Sequence, residues 1–402
     1  MKIKLSLKIK TVIEYLLVVA LYYVTGGAFS YVNYNMQIIV FFIISLLLCI
    51  YYKKYDFLRQ KPFSIWIIMS LFILIVPLIF LDSVPTYIAI IMQLAIGMFC
   101  SSLILVKEFI RKYINIIVFF ALVSLIGFLI GFIKPSVATL FPVTRIEDAS
   151  VDYYNAGIYV FMLSKGYGTG VLSIAIRNAG ICWEPGCYQC FLNIGLLFLL
   201  EKEKYNYQKF FYFKFFVLIL TILTTVSTTG IIILIILLTV YFKEWSKNLR
   251  HGILLIPLII IIILFIYSKT DLSEVIRYKI SREFGSDKGF FDRISLSKIS
   301  YLISNNGFFY LLGMSFSKWI EINESLWNSI IHSFLCLGVP FTIIHLIGYW
   351  NGSHLLSKKG WLLFMIMIMC ASTETLFWRV FFNTFAFYGW TYYRNKNGLE
   401  IY

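Results

Sequence analysis

Charge is what this chain has least of. Of 402 residues only 14% are Asp, Glu, Lys or Arg, whereas 60% are apolar and 19% are aromatic. A soluble protein of this length needs far more polar side chains to cover its surface, so a water-soluble fold is excluded. Histidine is scarce, with 4 in the chain, and the cysteine cluster Cys182, Cys187 and Cys190 lacks zinc-ribbon spacing. No metal motif is present, and these cysteines read as small packing residues at the head of a helix. There is no internal repeat, no low-complexity linker and no soluble stretch long enough to fold alone, so 1–402 reads as a single membrane domain. Acidic residues number 20 against 35 Lys and Arg, a net charge of +15. In a soluble protein that excess points to nucleic acid. Here most basic residues sit in short clusters between apolar runs, the pattern that sets membrane topology, and nucleic acid is excluded as a partner.

A spanning helix needs about 20 apolar residues. Runs of about that size, some shorter, are expected at 11–29, 36–52, 63–81, 86–106, 114–133, 187–200, 210–225, 227–242, 252–268, 326–350, 361–374 and 377–393. The fold class expected is an all-α polytopic membrane protein with about 12 transmembrane helices. The N-terminal lysines Lys2, Lys4, Lys8 and Lys10 precede the first run without a clear small-x-small cleavage site, which reads as an uncleaved first helix. With that basic arm inside, alternate connectors fall inside as well, and together they hold 21 of the 35 basic residues, while the short outer connectors hold none. Both termini are therefore expected in the cytoplasm. A single helix over 361–393 would instead give eleven spans, but it would rise about 50 Å, too long for one crossing.

Two long outer loops remain, 134–186 and 269–325. The first holds Arg145, an aromatic and apolar stretch over 153–163, and a glycine-rich segment at 165–170 read as a turn. It ends in Arg177-Asn178-Ala179-Gly180-Ile181-Cys182-Trp183-Glu184-Pro185-Gly186. Pro185 suits the first turn of a helix, and the helix dipole favours Glu184 just ahead of it. A good helix start does not account for Arg177 and Trp183 beside it. Tryptophan can simply anchor at the interface, but Arg and Glu at a membrane boundary need solvent, a partner or a function. The second loop opens with an amphipathic pattern over 272–284 that carries Arg277, Lys279 and Arg282, and continues through Arg293 to Gly313. Asn328 and His332 then share one face at the start of the next span. Glu374 and Arg379 flank the last outer turn, where an ion pair closing the hairpin is expected.

The segment from Arg177 to Gly186 resembles the outer-loop signature of bacterial polysaccharide repeat-unit polymerases, the Wzy-type O-antigen and capsule polymerases. In these an arginine and a glycine precede an aromatic–Glu–Pro–Gly that enters a helix. Ser227-Thr228-Thr229-Gly230 is similar to the Ser/Thr-rich turn of the family. Arg293 to Gly313 resembles its second large loop, and Asn328 to Gly338 with Pro340 resembles the span that follows. The resemblance covers Arg177 to about Pro340. One departure is Gly313-Met314-Ser315, where many relatives have Gly-x-Gly.

The resemblance implies a GT-C-like membrane glycosyltransferase in a bacterial cytoplasmic (inner) membrane. It would polymerise undecaprenyl-diphosphate-linked oligosaccharides at the outer face without a cofactor, and chain-length regulator and flippase proteins are the expected partners. A departing diphosphate needs guanidinium forks, for which Arg177 and Arg293 are the candidates, with Arg282 next. The acceptor hydroxyl needs a base or an orienting acceptor, for which Glu184 leads and His332 follows. Arg145, Trp183, Arg282 and Asn328 are the expected substrate contacts. A ligase of the same superfamily, with His332 as its histidine, stays open. So does a lipid-linked oligosaccharide flippase or transporter.

Overall fold

The computed structural model describes residues 2–28, 34–52, 61–144, 151–165, 172–174, 177–201, 210–246, 311–317, 328–395 and 398–401. The expected span at 252–268 and the residues Arg145, Arg282 and Arg293 lie outside them.

The described chain is mainly helical. Five helices come first: α1 (Lys2–Gly26), α2 (Tyr34–Tyr51), α3 (Lys61–Phe80), α4 (Val84–Leu103) and α5 (Val106–Ile133). Each is long and apolar enough to cross a membrane, α1 over Lys8–Gly26. After the first outer loop come α6 (Pro185–Leu200), α7 (Phe211–Thr224) and α8 (Thr228–Ser246). The last group is α9 (Ser329–Leu337), α10 (Val339–Leu356), α11 (Gly360–Thr373) and α12 (Val380–Thr391).

Apolar side chains stay exposed along whole helix faces. Ile43, Leu47 and Ile50 on α2, Leu71 and Leu78 on α3, and Phe119, Ile126 and Leu129 on α5 all face outward. Contiguous apolar surface of this kind is untenable in water and ordinary in lipid, so this is a membrane-embedded helical chain. Two of the long helices are buried almost throughout. Every residue of α12 is buried, as is every residue of α6 but Gly186. These two form the centre. α12 packs on α4 and α10, and α6 packs on α5, α7, α8 and α11. Gly352 of α10 and Gly389 of α12 meet backbone to backbone, the close approach that small residues permit between membrane helices.

The expected span at 326–350 is two helices rather than one. Gly338, with φ of 85°, breaks it between α9 and α10, and Pro340 follows in the first turn of α10, where its missing N–H costs no hydrogen bond. The expected pair at 361–374 and 377–393 is also two helices, α11 and α12, joined by the turn 374–379.

The first outer loop departs from an all-helical reading. After a short 3-10 turn at Pro135–Leu140 it forms a four-stranded antiparallel sheet in the order β1 (Val143–Thr144), β2 (Val151–Asn155), β3 (Val160–Lys165) and β4 (Leu172–Ile174). Gly157, at φ 84°, turns β2 into β3, and the glycine-rich segment connects β3 to β4 outside the described residues. Tyr153 and Met162 pack with Ala28 and Ala179 on one side, while Tyr159 and Phe161 pack with Ala138 and Phe128 on the other. A ribbon covered on both faces reads in sequence as a continuous apolar run without alternation, which is why 153–163 gave no strand signal. A second hairpin, β5 (Tyr392–Asn395) with β6 (Gly398–Ile401), follows α12.

The two ends of the bundle differ in chemistry. At the end where α5 and α11 begin, Lys112 is fully buried between Glu14 at 2.7 Å and Glu108 at 2.6 Å. At that same end the C-cap residue of α6, Glu201, accepts hydrogen bonds from Tyr241, Ser357, Lys358 and Lys359. The other end, where α1 finishes and α6 begins, gathers most of the described candidate residues.

Candidate functional site

The segment 177–184 is held from four directions. The Asn178 N–H donates to the Thr224 carbonyl at 2.8 Å, and its side-chain amide donates to Ser124 of α5 and to the Thr224 hydroxyl, each at 3.1 Å. The Tyr188 hydroxyl, one turn into α6, reaches the same Ser124 at 3.0 Å. The Val160 N–H of β3 donates to the Gly180 carbonyl. The end of α1 supplies the fourth tie: the Ala28 N–H donates to the Ile181 carbonyl, and the Trp183 N–H donates to the Gly26 carbonyl. Gly180 has φ of 58° and lies flat on the Tyr188 ring, so only glycine fits there.

This anchorage places Arg177 and Glu184. Arg177 is half-buried, and its Nε donates to the Thr225 carbonyl at 3.4 Å in the turn between α7 and α8. Glu184 is the N-cap residue of α6, with Pro185 in the first turn as its sequence suggests. Its carboxylate makes no capping bond, which leaves it free to point elsewhere. It meets Glu374.

Glu374 lies in the turn 374–379, outside both flanking helices, and is only 5% exposed. Its Oε1 occupies the space that a Cβ on Gly186 would fill, over the first turn of α6. The turn is clamped by Ser329, whose hydroxyl donates to the Ala371 carbonyl at 2.6 Å and the Glu374 carbonyl at 2.8 Å, and accepts from the Phe377 N–H at 3.1 Å. Burial and the facing Glu184 carboxyl push the Glu374 acid well above the usual carboxylate range, with Arg177 pulling it the other way.

The expected Glu374–Arg379 ion pair does not form, whereas Lys10, Arg111 and Lys112 pair with Glu14 and Glu108 at the opposite end. The Arg379 guanidinium instead sits over the Tyr34 ring at 4.2 Å and near the Trp183 ring at 5.6 Å, while its Nε donates to the Thr375 carbonyl. Arg379 is the N-cap residue of α12, so its backbone turns the side chain away from Glu374 and onto the aromatic faces, where a guanidinium is also stabilised. Trp183, 5% exposed, is part of the packing beneath Arg379.

His332 lies in the first turns of α9, whereas Asn328, expected to share a helical face with it, stands outside the helix as its extended N-cap residue. The Asn328 side chain caps the helix, accepting from the N–H groups of Ile330 and Ile331 at 3.2 and 3.1 Å, a use of its oxygen that the spacing alone did not reveal. The His332 ring packs edge-on between Phe316, at 5.2 Å, and Trp378, at 5.4 Å. Phe316 belongs to the exit of the second outer loop, so that loop reaches this end too. Its Ser317 N–H and hydroxyl donate to Asp82 in the turn between α3 and α4, and the Phe316 N–H donates to the Tyr87 hydroxyl at 3.2 Å.

Arg177, Glu184, Glu374, Arg379 and His332 thus share one end of the bundle with the exit of the second loop. Glu374 and Arg379 were visible in the sequence only as flanks of a turn; nothing in their spacing showed Glu374 opposite Glu184. Chemically the cluster offers a cation beside two carboxyls, a group suited to an anionic leaving group and to a proton.

No protein-family model, curated protein or solved structure matches this chain.

Proposed function

We propose that this chain is a membrane glycosyltransferase that polymerises oligosaccharide repeat units carried on undecaprenyl diphosphate, at the outer face of a bacterial cytoplasmic membrane. The observation that carries the reading is the convergence, at one end of a helical bundle, of the anchored Arg177–Glu184 segment, the Glu374 turn and the exit of the second outer loop. That end is the outer one in the topology expected from the basic connectors.

One lipid-linked chain is the donor, and the terminal sugar of a second lipid-linked unit is the acceptor. The acceptor oxygen attacks the anomeric carbon and the lipid diphosphate leaves with the bonding pair. Arg177, and Arg293 from the second loop, stabilise the charge that develops on the diphosphate. Glu184 faces the acceptor hydroxyl.

The test is to analyse lipid-linked intermediates and envelope glycans in a strain lacking this protein. Single repeat units reaching the envelope without polymer are the expected result. Full polymer retained on its lipid carrier would assign a ligase instead, and intermediates trapped at the inner face would assign a flippase.

A further inference from the structure

Arg379 has no part in the reaction as just written. At the opposite end of the bundle the chain matches cations to carboxylates, as Lys112 does with Glu14 and Glu108. Arg379 forms no ion pair among the described residues, although Glu374 lies in the same turn with its Oε2 buried and unbonded. A cation at a membrane boundary is costly unless it is solvated, paired or functional. Arg379 is only half-buried, so a ligand can reach it.

Its placement is fixed from below. The Tyr34 ring, 4.2 Å from the guanidinium, is held by its hydroxyl, which donates to the Gln93 Oε1 at 2.5 Å. The Trp183 ring, 5.6 Å away, belongs to the segment tied to Gly26. The Arg379 Nε donates to the Thr375 carbonyl, and two residues on the Phe381 N–H donates to the Thr25 hydroxyl at 2.8 Å. Stacking engages the face of a guanidinium and leaves its terminal N–H groups to donate along the edge. A fork placed before any ligand arrives loses little freedom on binding phosphate oxygens. The turn also touches both outer loops. Trp183 directly precedes Glu184 at the end of the first, and Trp378, beside Arg379, packs on His332 and on Phe316 at the exit of the second.

We propose that Arg379 is a substrate-binding residue whose guanidinium, steadied on Tyr34 and Trp183, grips the diphosphate of the lipid-linked substrate. The inference rests on the glycosyl-transfer reading above, which supplies that diphosphate. Arg177 and Arg293 act on the charge that develops as the bond breaks, whereas Arg379 holds the diphosphate before and after. It favours a lipid with two phosphates over a lipid with one, because the second phosphate adds charge and acceptor oxygens.

The test compares full-length wild-type protein with R379Q in detergent. Binding of undecaprenyl diphosphate and of undecaprenyl monophosphate is measured for each by native mass spectrometry. The wild type should prefer the diphosphate, and R379Q should lose about 10-fold or more of that preference, with R379K recovering little. A merely structural role would lower both affinities together; that result, or an unchanged preference, overturns the proposal. If R379Q does not accumulate as folded protein, phenylglyoxal, which modifies guanidinium groups, gives the answer from the wild type alone. Undecaprenyl diphosphate should protect Arg379, located by peptide mass, and phosphatidylglycerol should not. No protection, or equal protection by phosphatidylglycerol, overturns the contact. A protein that passes these tests but makes no polymer from lipid-linked repeat units keeps the contact and overturns the polymerase reading instead.

Discussion

The backbones of Gly313 and Gly338 lie against each other. A Cβ on Gly313 would meet the Cys336 carbonyl oxygen at 2.8 Å and the Gly338 nitrogen at 3.0 Å, and one on Gly338 would meet the Leu311 carbonyl oxygen at 2.7 Å. Both residues have positive φ, 89° and 85°. The Met314 N–H donates to the Leu335 carbonyl across the same contact at 2.7 Å. The exit of the second outer loop is thereby fixed on the break between α9 and α10, next to the helix that carries His332.

Alanine at either glycine should therefore be poorly tolerated. The overlap with backbone atoms and the left-handed conformation together cost about 2–4 kcal/mol, so the thermal midpoint in detergent should fall for Gly313→Ala and for Gly338→Ala. Ser315, two residues on, also has positive φ, 84°, at the position where the resembled family has its second glycine. Ser315→Gly should retain more folded protein than a β-branched replacement. Ser315→Val should lower the midpoint, with a cost of about 1–3 kcal/mol. Equal midpoints for the two Ser315 variants would contradict this account of the turn.

Glu201 ties three elements together at the opposite end. It is buried and accepts from the Tyr241 hydroxyl at 2.8 Å, the Ser357 hydroxyl at 2.7 Å, and the Lys358 and Lys359 N–H groups at 3.0 and 3.2 Å. Glu201→Ala strands these donors and should cost about 3–5 kcal/mol, read as lost folded yield in size-exclusion profiles. Glu201→Gln keeps the shape and should lose less. No polymer-specific defect is expected in the fraction that folds.

Asp82 makes the docking of the second loop sensitive to acid. Burial alone would raise its acid, but hydrogen bonds from Ser317, Tyr87 and the Ser83 N–H outweigh it and hold the carboxyl below the usual aspartate range. A carboxyl lowered in the folded state contributes stability above its unfolded pKa, about 3.9, and loses that contribution as the pH falls through the folded value. The thermal midpoint in detergent should hold from neutral pH down to mildly acid conditions and fall only below the ordinary aspartate range. Asp82→Asn should lower the midpoint at neutral pH and remove this acid-dependent step. A step centred near neutral pH would point to a different group.

Arg177→Ala and Arg293→Ala should each abolish polymer formation while the protein still inserts, a loss of at least about 100-fold in rate. Arg177→Lys should recover little, because an ammonium cannot match two phosphate oxygens at once. Polymer of normal length from either alanine variant, at normal protein level, removes that arginine from the mechanism.

Much of the helical frame was legible in the sequence. The expected runs at 36–52, 63–81 and 187–200 fall within two or three residues of α2, α3 and α6, because an apolar stretch and its charged flanks are local signals. The break at Gly338 was less legible, since Gly and Pro are tolerated within membrane helices and do not by themselves end one. The β2–β3 ribbon was hidden because both of its faces are covered. The Glu374–Arg379 pairing failed because proximity along a turn says nothing about which way two side chains leave it; Arg379 found the rings of Tyr34 and Trp183, and Glu374 found Glu184.

What the sequence by itself determined is that this is a membrane-embedded helical chain, where most of its described helices lie, and that Arg177 and Glu184 sit at the head of one of them. Bilayer thickness imposes those features on each segment separately, so each segment displays them. Only the tertiary structure decided that α6 and α12 are central, that Glu374 faces Glu184 and that Gly313 meets Gly338. A helix surrounded by lipid or by other helices is apolar on every side either way, so its sequence carries no mark of which neighbour it will meet.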